Sequence, residues 1–285
     1  MNPRLMRRRR ADRAFSALCL GATALAVVFL VALLAGLIRD GASRLDANLL
    51  FNFPSRFPAR AGIKAALAGT LWVVGFTALF SIPVGVAAAV YLEEYAAKSR
   101  WSSLLQTNIA NLAGVPSIVY ALLGLAVFVR TMGLGRSVIA GALTLSLLIL
   151  PTVILATQEA LRAVPSSLRD ASFGLGATRW QTVRGVVVPS AAGGILTGII
   201  LAISRAMGET APLVTIGAAT FITFVPASAK DSFTALPIQI FDWAGRPQEG
   251  FHKAAAAASL LLLVVLLSLN AVAIFLRQRQ ELRTR

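Results

Sequence analysis

The stretch that decides the fold runs from residue 158 to residue 189 and reads QEALRAVPSSLRDASFGLGATRWQTVRGVVVP. It is a long polar connection between two apolar runs, yet its composition is that of an ordered segment. Ser166 or Ser167 can cap a helix after the preceding proline. Gly174 and Gly176 can end that helix, because glycine tolerates the left-handed backbone found at helix ends. The stretch therefore predicts a short helix held outside the membrane.

This short helix is predicted to be amphipathic. Arg169 and Asp170 are polar, whereas the neighbouring apolar positions are Leu168, Ala171, Phe173 and Leu175. A second amphipathic segment, ATRWQTVRGVVVP, leads into the next apolar run. Such a helix can dock in the groove of a soluble partner, or it can lie on the membrane surface. Periodicity alone leaves both interpretations open.

The composition is that of a membrane protein. Of the 285 residues, 57% are hydrophobic and only 14% are charged, against about 25% charged residues in a soluble domain. The net charge of +15 fits anionic lipid at the cytoplasmic leaflet. Because no basic face is interleaved with aromatic residues, we do not expect a nucleic-acid partner.

Six apolar runs are each long enough to cross a bilayer, which takes about 20 residues. They predict an all-α membrane protein with six transmembrane helices at residues 15–38, 67–91, 104–129, 137–157, 189–224 and 254–276. The first run follows RLMRRRRADR and exceeds the roughly 7–15 apolar residues of a signal peptide. We therefore interpret it as an uncleaved first span, followed by a five-helix core over residues 67–276.

Basic residues set the predicted orientation. The N-terminal segment 1–14 and the C-terminal tail 277–285 are both rich in arginine and both adjoin a span. By the positive-inside rule both ends are predicted to be cytoplasmic. The connections 39–66 and 225–253 are then periplasmic. The second of these is predicted to be ordered, with Trp243 at the membrane interface, or else to be a plain connector.

The fifth run is too long for one straight helix. Its 36 residues would extend about 54 Å at 1.5 Å per residue. It contains ISRAMGETAP over residues 203–212, in which Gly208 is permissive and Pro212 disrupts helical hydrogen bonding. We expect a helix to about Met207, a break, and a second helical piece from about Leu213.

Other positions predict close helix contacts. Pro83, Pro116 and Pro151 interrupt apolar runs, and the backbone groups that they free must be satisfied by neighbouring helices or by water in a cavity. Gly194 and Gly198 have the small-xxx-small spacing that lets another helix approach. A bundle around a pathway is one interpretation of the prolines, and kinks used only for packing are the other.

Two charged residues lie within the fifth run. Arg205 and Glu209 are four residues apart and share one helix face. A charge in the bilayer centre costs at least about 2.5 kcal/mol, so neither side chain is expected to face lipid. Either the two residues neutralise each other as a structural pair, or they line a pathway, with Ser204 and Thr210 as weaker candidates for neutral donors.

The segment DASFGLGATRWQTVRGVVVP resembles the EAA loop of ABC importer permeases. Asp170-Ala171-Ser172 stands for EAA, Gly176 for the fixed glycine, and Val186, Val188 and Pro189 for the Ile-x-Leu-Pro ending. The resemblance implies that the short helix is a coupling helix, which sits in a groove of a separate ATPase subunit. The residues that it assigns to ATPase coupling are Asp170, Ala171, Ser172, Gly176 and Arg179.

A narrower resemblance covers roughly residues 60–285. The blocks NLAGVPSIVYALLGLAVFV, LILPTVILATQEALRAVPSSLRDASFGLGATRWQTV, AISRAMGETAPL and LPIQIF are similar to the permease of phosphate ABC importers. That family implies a type I, MetI-like permease fold in the bacterial inner membrane. It also implies a PstC-like second permease, a dimeric PstB-like ATPase, a periplasmic PstS-like phosphate-binding protein and inorganic phosphate as substrate.

For phosphate, the pathway interpretation of the charged pair has a mechanism. The planar guanidinium of Arg205 matches phosphate oxygens, and a helix restarting near Thr210 would direct N–H groups at an anion. The chain carries no Walker A pattern, so ATP and magnesium are expected on the partner ATPase and no cofactor or metal on this chain.

Three alternatives are weighed against the phosphate importer. A permease of the same fold could carry another oxyanion, such as molybdate or sulfate, or another solute. A secondary transporter or channel would need no ATPase, and it has no reason to carry the EAA spacing. A membrane-embedded enzyme lacks any catalytic constellation that the sequence lets us assemble.

Overall fold

A computed structural model describes residues 3–97 and 99–283, and within these ranges the regular elements are helices. Only an isolated bridge between Ser137 and Ser232 pairs extended backbone there. The basic segments 1–14 and 277–285, which were predicted to be cytoplasmic, lie mostly outside the residues whose side chains are described.

The α-helices follow one another in chain order as α1 Pro3–Gly41, α2 Ala47–Phe51, α3 Lys64–Val90, α4 Arg100–Ala113, α5 Ser117–Gly124, α6 Val138–Arg162, α7 Ser166–Gly174, α8 Arg179–Thr182, α9 Val188–Gly208, α10 Ala211–Thr215, α11 Leu236–Ala244 and α12 Glu249–Arg283. Wider π-helical turns extend α3 over Tyr91–Tyr95 and α5 over Leu125–Thr131, and one at Val183–Val187 joins α8 to α9.

Five helical stretches in the described residues are long and apolar enough to cross a membrane. They are Asp12–Arg44, Lys64–Tyr95, Val138–Arg162, Arg179–Gly208 and Glu249–Phe275. A sixth span is present if α4 and α5 with its π-helical turn are counted together. The predicted all-α class is thus confirmed, and the six predicted spans correspond to these five helices and one bent pair.

The third predicted run, 104–129, is not one straight helix. Arg100–Ala113 and Ser117–Thr131 meet at an angle of 99°. The break falls at Gly114-Val115-Pro116, where the proline ring disfavours helical backbone in the residue before it. α4 is also half polar along its length, so it is not a simple lipid-spanning segment.

The centre of the bundle is α6, which contacts both α3 and α9. In the most apolar 18-residue stretch of α6, 67% of the residues are buried, whereas none is buried in the corresponding stretch of α1. Small residues make the close contacts: a Cβ atom at Gly194 would lie 2.8 Å from the Cβ of Ala160, and one at Gly198 would come still closer to Ala156. The prediction that these two glycines admit a neighbouring helix is confirmed, and that helix is α6.

The connections 39–66 and 225–253 are ordered and pack together at one end of the bundle. α2 and α11 lie in them, and their apolar residues form one buried cluster with the start of α12, including Leu49, Trp243 and Phe251. Trp243 is 0% exposed, so its predicted place at the membrane interface is wrong. It is covered by protein because α11 folds back onto α12.

The Asp46 carboxylate organises the first of these connections. It caps α2 by accepting a hydrogen bond from the Leu49 N–H at 2.8 Å, and it pairs with Arg44 at 2.6 Å. That backbone donation, with the Arg44 charge as a lesser cause, lowers the pKa of Asp46 below its ordinary value. The charged form of the carboxylate therefore stabilises the folded connection.

Chain direction places α7 at the opposite end. The chain passes from the end that holds α2 and α11 along α6 and then enters α7. α12 runs the same way from Glu249, and α1 reaches the α2 end at Gly41, which lies against Ala256 and Ala257. α7 therefore lies at the end of the bundle where α1 begins and α12 finishes.

Candidate functional sites: the α7–α8 surface and the α9 break

The turn between α7 and α8 is built by specific residues. α7 begins at Ser166 directly after Pro165, and no side chain caps it, so the predicted serine cap is wrong. Its end agrees with the prediction, because Gly174 is the last helical residue and Gly176 has a φ of +81°. α8 then opens on a capping box, in which Thr178 and Gln181 bond each other's backbone N–H.

The inner side of α7 is tied to α8 by a hydroxyl pair. The Oγ of Ser172 and the Oγ1 of Thr182 lie 2.9 Å apart, and both residues are buried. Ser172, which the resemblance assigned to ATPase coupling, therefore faces the protein. Its contact joins the two short helices.

The outer side of α7 and α8 is an exposed apolar surface. Leu175 is 90% exposed, and the other large apolar members are Leu168, Phe173 and Trp180. Ala171 and Asp170 are also exposed, and Asp170 makes no ion pair with the described residues. We call this set the α7–α8 surface. Contiguous exposed apolar area rimmed by polar groups is typical of a site for another protein or for lipid.

Two further coupling candidates border this surface. Gly176 lies in the turn, where a Cβ atom would meet nothing within 4 Å. Arg179 is exposed at the start of α8, and its guanidinium carbon lies 5.4 Å from the centre of the Tyr95 ring. The five residues predicted for coupling are thus brought together, four toward solvent and Ser172 inward.

Sequence reasoning missed the ion pairs where α3 and α6 end, of which the Arg169 pair holds α7 in place. Arg169 binds Glu94 at 2.8 Å and donates to the carbonyls of Val164 and Leu161. Nearby, Arg162 pairs with Glu93 at 2.9 Å at a more exposed position. The available signal was the adjacent pair of glutamates directly after an apolar run, since such charges need partners.

The second site is the interruption between α9 and α10. α9 ends at Gly208 and α10 begins at Ala211, close to the predicted break. The Nε of Arg205 lies 3.4 Å from the Oε1 of Glu209, and the two side chains are 44% and 20% exposed. The predicted pair therefore forms, and Arg205 keeps part of its guanidinium free of protein cover.

The other two predicted pathway residues lie differently. Ser204 donates to the Oδ1 of Asn270 on α12 at 2.6 Å, so it takes part in the α9–α12 contact. Thr210 is half-buried next to Glu209, and its side chain does not cap α10. The structure thus brings Arg205, Glu209 and Thr210 together and turns Ser204 toward α12. Asn270 was missed because a single amide in an apolar run has no distinctive spacing.

The anion site predicted at the restarting helix stays a prediction, and the helix there is short. α10 has only five residues, with Pro212 in its first turn, and Gly217 with a φ of +84° follows its end. One turn sums few peptide dipoles, and the proline removes one of the N–H groups that an anion would use.

The comparisons with known proteins agree with this architecture. Residues 81–285 match the family described as binding-protein-dependent transport system inner membrane component. The chain belongs to this family. The relatives described next are named as permease proteins of transport systems.

Two relatives and two solved structures illustrate the match. The phosphate transport system permease protein PstA of Haemophilus influenzae is 32% identical over 82% of this chain and 82% of its own length. PstA 1 of Mycobacterium tuberculosis is 45% identical over 53% of this chain, but only 50% of its own length is covered. A chain of a bacterial alginate ABC transporter gives a TM-score of 0.67 at 17% identity, over 95% of this chain and 96% of that one.

A chain of the inward-facing MetNI methionine ABC transporter gives a TM-score of 0.61 at 17% identity, over 74% of this chain and 93% of that one. At these identities the structures establish the fold, and the predicted MetI-like permease fold is confirmed. The chain spans about half to two thirds of the length of several of the curated relatives it matches.

Proposed function

We propose that this permease is the membrane-spanning subunit of an ATP-driven phosphate importer. The observation that carries the proposal is the α7–α8 surface, which presents exposed apolar side chains from α7, from the turn after it and from the start of the Arg179–Gly208 helix. Asp170 lies beside them and makes no ion pair with the described residues. The EAA-like spacing and the relation to phosphate permeases both support a partner ATPase. Helix-in-groove docking is the physical mode.

The proposed complex has four kinds of component. This chain pairs with a second, PstC-like permease. A dimeric PstB-like ATPase binds both permeases on the cytoplasmic side, through α7 and its counterpart in the second permease. A PstS-like binding protein delivers phosphate at the end formed by α2 and α11. In this orientation the chain ends and α7 are cytoplasmic, as the basic flanks of the first and last spans favour.

The role proposed for Arg205 follows from its geometry. A lone buried arginine would hold phosphate too tightly for passage, since bidentate charge-assisted hydrogen bonds are strong. Glu209 at 3.4 Å compensates part of that charge. The pair therefore offers an anion a transient donor in the pathway, and Thr210 supplies a neutral hydroxyl beside it.

Uptake into vesicles that contain all four components tests this function. Labelled phosphate should accumulate with ATP and not without it, and excess unlabelled phosphate should compete better than molybdate or sulfate. A complex that takes up molybdate or sulfate in preference would overturn the substrate. Failure of the purified chain to bind any ATPase subunit would overturn the transporter itself.

A further inference from the structure

The partly buried contacts of Arg169 tie α7 to two membrane helices at once. Its Nη2 lies 2.8 Å from the Glu94 Oε1 in the π-helical turn that ends α3, and its Nε lies 3.3 Å from the same oxygen. Its Nη1 and Nη2 also donate to the carbonyls of Val164 and Leu161 at 2.8 and 2.9 Å. Those carbonyls belong to the end of α6 and the turn that follows it.

This arrangement differs from an ordinary surface ion pair. The side chains of Arg169 and Glu94 are 21% and 10% exposed. The neighbouring Arg162 is 43% exposed, and its partners Glu159 and Glu93 are 73% and 21% exposed. Exposed pairs contribute little, but removing one partner of a buried pair leaves an uncompensated charge. The cost of breaking the Arg169 contact is therefore much greater.

The planar guanidinium is what makes the threefold contact feasible. It offers five N–H donors in a fixed fork. Its three nitrogens reach the Glu94 carboxylate, one carbonyl in the last turn of α6 and one in the turn that follows α6. A lysine ammonium is a compact charge with three donors and cannot reproduce that spread. The site thus requires the geometry of arginine as well as its charge.

We infer that Arg169 is a positioning residue that joins α7 rigidly to α3 and α6, so that displacement of α7 is transmitted to the membrane helices. The Ser172–Thr182 hydroxyl pair ties α7 to α8, and α8 leads directly into α9. α7 is therefore connected to all three central helices. The part of the inference that concerns transport rests on the proposed function, whereas the rigidity of the joint does not.

The rigidity is measured by the distance between two spin labels in the full-length chain in lipid nanodiscs. Suitable sites are Leu79 on α3 and Leu175 after α7, which are 60% and 90% exposed, in a background where Cys19 is serine. Arg169→Ala and Glu94→Gln should each broaden the distance distribution. Arg162→Ala, at the more exposed neighbouring pair, should leave it narrow.

The transmission is measured in the four-component vesicles as phosphate taken up per ATP hydrolysed. Arg169→Ala and Glu94→Gln should lower this ratio several-fold, Arg169→Lys should not restore it, and Arg162→Ala should keep the wild-type ratio. If Arg169→Ala does not accumulate, the near-isosteric Glu94→Gln carries the test alone.

Three results would overturn the inference. They are narrow distributions in both the Arg169 and Glu94 variants, equal broadening by Arg162→Ala, or an unchanged uptake ratio in variants whose distances have broadened. If wild-type vesicles show no ATP-dependent phosphate uptake, the proposed function fails, and the label distances alone then decide whether Arg169 fixes α7.

Discussion

The contact between α6 and α9 leads to a sharp prediction about stability. A Cβ atom at Gly198 would lie closer to the Ala156 Cβ than the 3.0 Å below which real Cβ atoms are essentially not found, so Gly198→Ala forces the two helices apart. Overpacking of this kind costs about 1–3 kcal/mol, which corresponds to a fall in Tm of about 2–12 °C. The fall in Tm is measured by thermal unfolding in detergent, with size-exclusion chromatography used to monitor the folded protein.

Two further variants separate packing from backbone effects. Gly75→Ala on α3 is the matched control, because its Cβ atom would meet nothing within 4 Å and alanine gains helix propensity of up to about 1 kcal/mol. The double variant Gly198→Ala with Ala156→Gly moves the methyl group from α6 to α9. It should recover most of the stability that Gly198→Ala loses. If Gly198→Ala is as stable as Gly75→Ala, or if Ala156→Gly gives no recovery, the packing argument is refuted.

Five other substitutions test the two sites and the Asp46 cap. Arg205→Ala and Glu209→Ala should leave the chain in the membrane and reduce labelled phosphate uptake, and loss of folded protein in both would instead indicate a structural pair. Gly176→Val should weaken ATPase association about 5- to 30-fold in a pull-down titration, because left-handed backbone costs a residue with a Cβ atom about 1–2 kcal/mol. Gly176→Asn should weaken the association less. Binding of the valine variant at the wild-type affinity would contradict a role for the turn. Asp46 has a folded pKa below the ordinary 3.8, so its contribution to stability is complete above that value and is lost as pH falls through the folded pKa. Asp46→Asn should therefore lower Tm at neutral pH and remove part of the acid dependence below about pH 4, and parallel pH dependence in the two proteins would count against the cap.

Much of the helix pattern could be predicted because apolar run length and helix breakers are local signals. α9 ends at Gly208, one residue after the predicted Met207, since glycine and proline act on the backbone directly. Pro116 is the same kind of local signal for the bend between α4 and α5. The bend was not predicted because apolar residues continue on both sides of it. A continuous apolar run indicates that a segment lies in lipid, but it does not indicate whether the chain bends within that segment.

The tertiary contacts of the polar residues could not be predicted from the sequence. Glu94 and Arg169 are 75 positions apart and meet only because α3 and α6 end side by side. The sequence placed Ser204 beside Arg205 as a pathway candidate. One residue along a helix turns the side chain by about 100°, so Ser204 faces Asn270 instead. Which face of α9 meets which neighbour is set by packing, and the spacing of a single chain does not encode it.

The same contacts indicate where the bundle can yield. Close-packed interiors transmit displacement rather than absorb it, and α3, α6 and α9 meet at glycines, among them Gly85 against Val153 and Gly198 against Ala156. Helical hydrogen bonding stops between Gly208 and Ala211, so this interruption is where α9 can change its angle to the segment that follows it. Arg205 lies in the last turn of α9, and Glu209 lies in the interruption itself. In the proposed transporter, a displacement that enters through α7 would therefore change the Arg205–Glu209 distance and with it the charge that the pair presents to a passing anion.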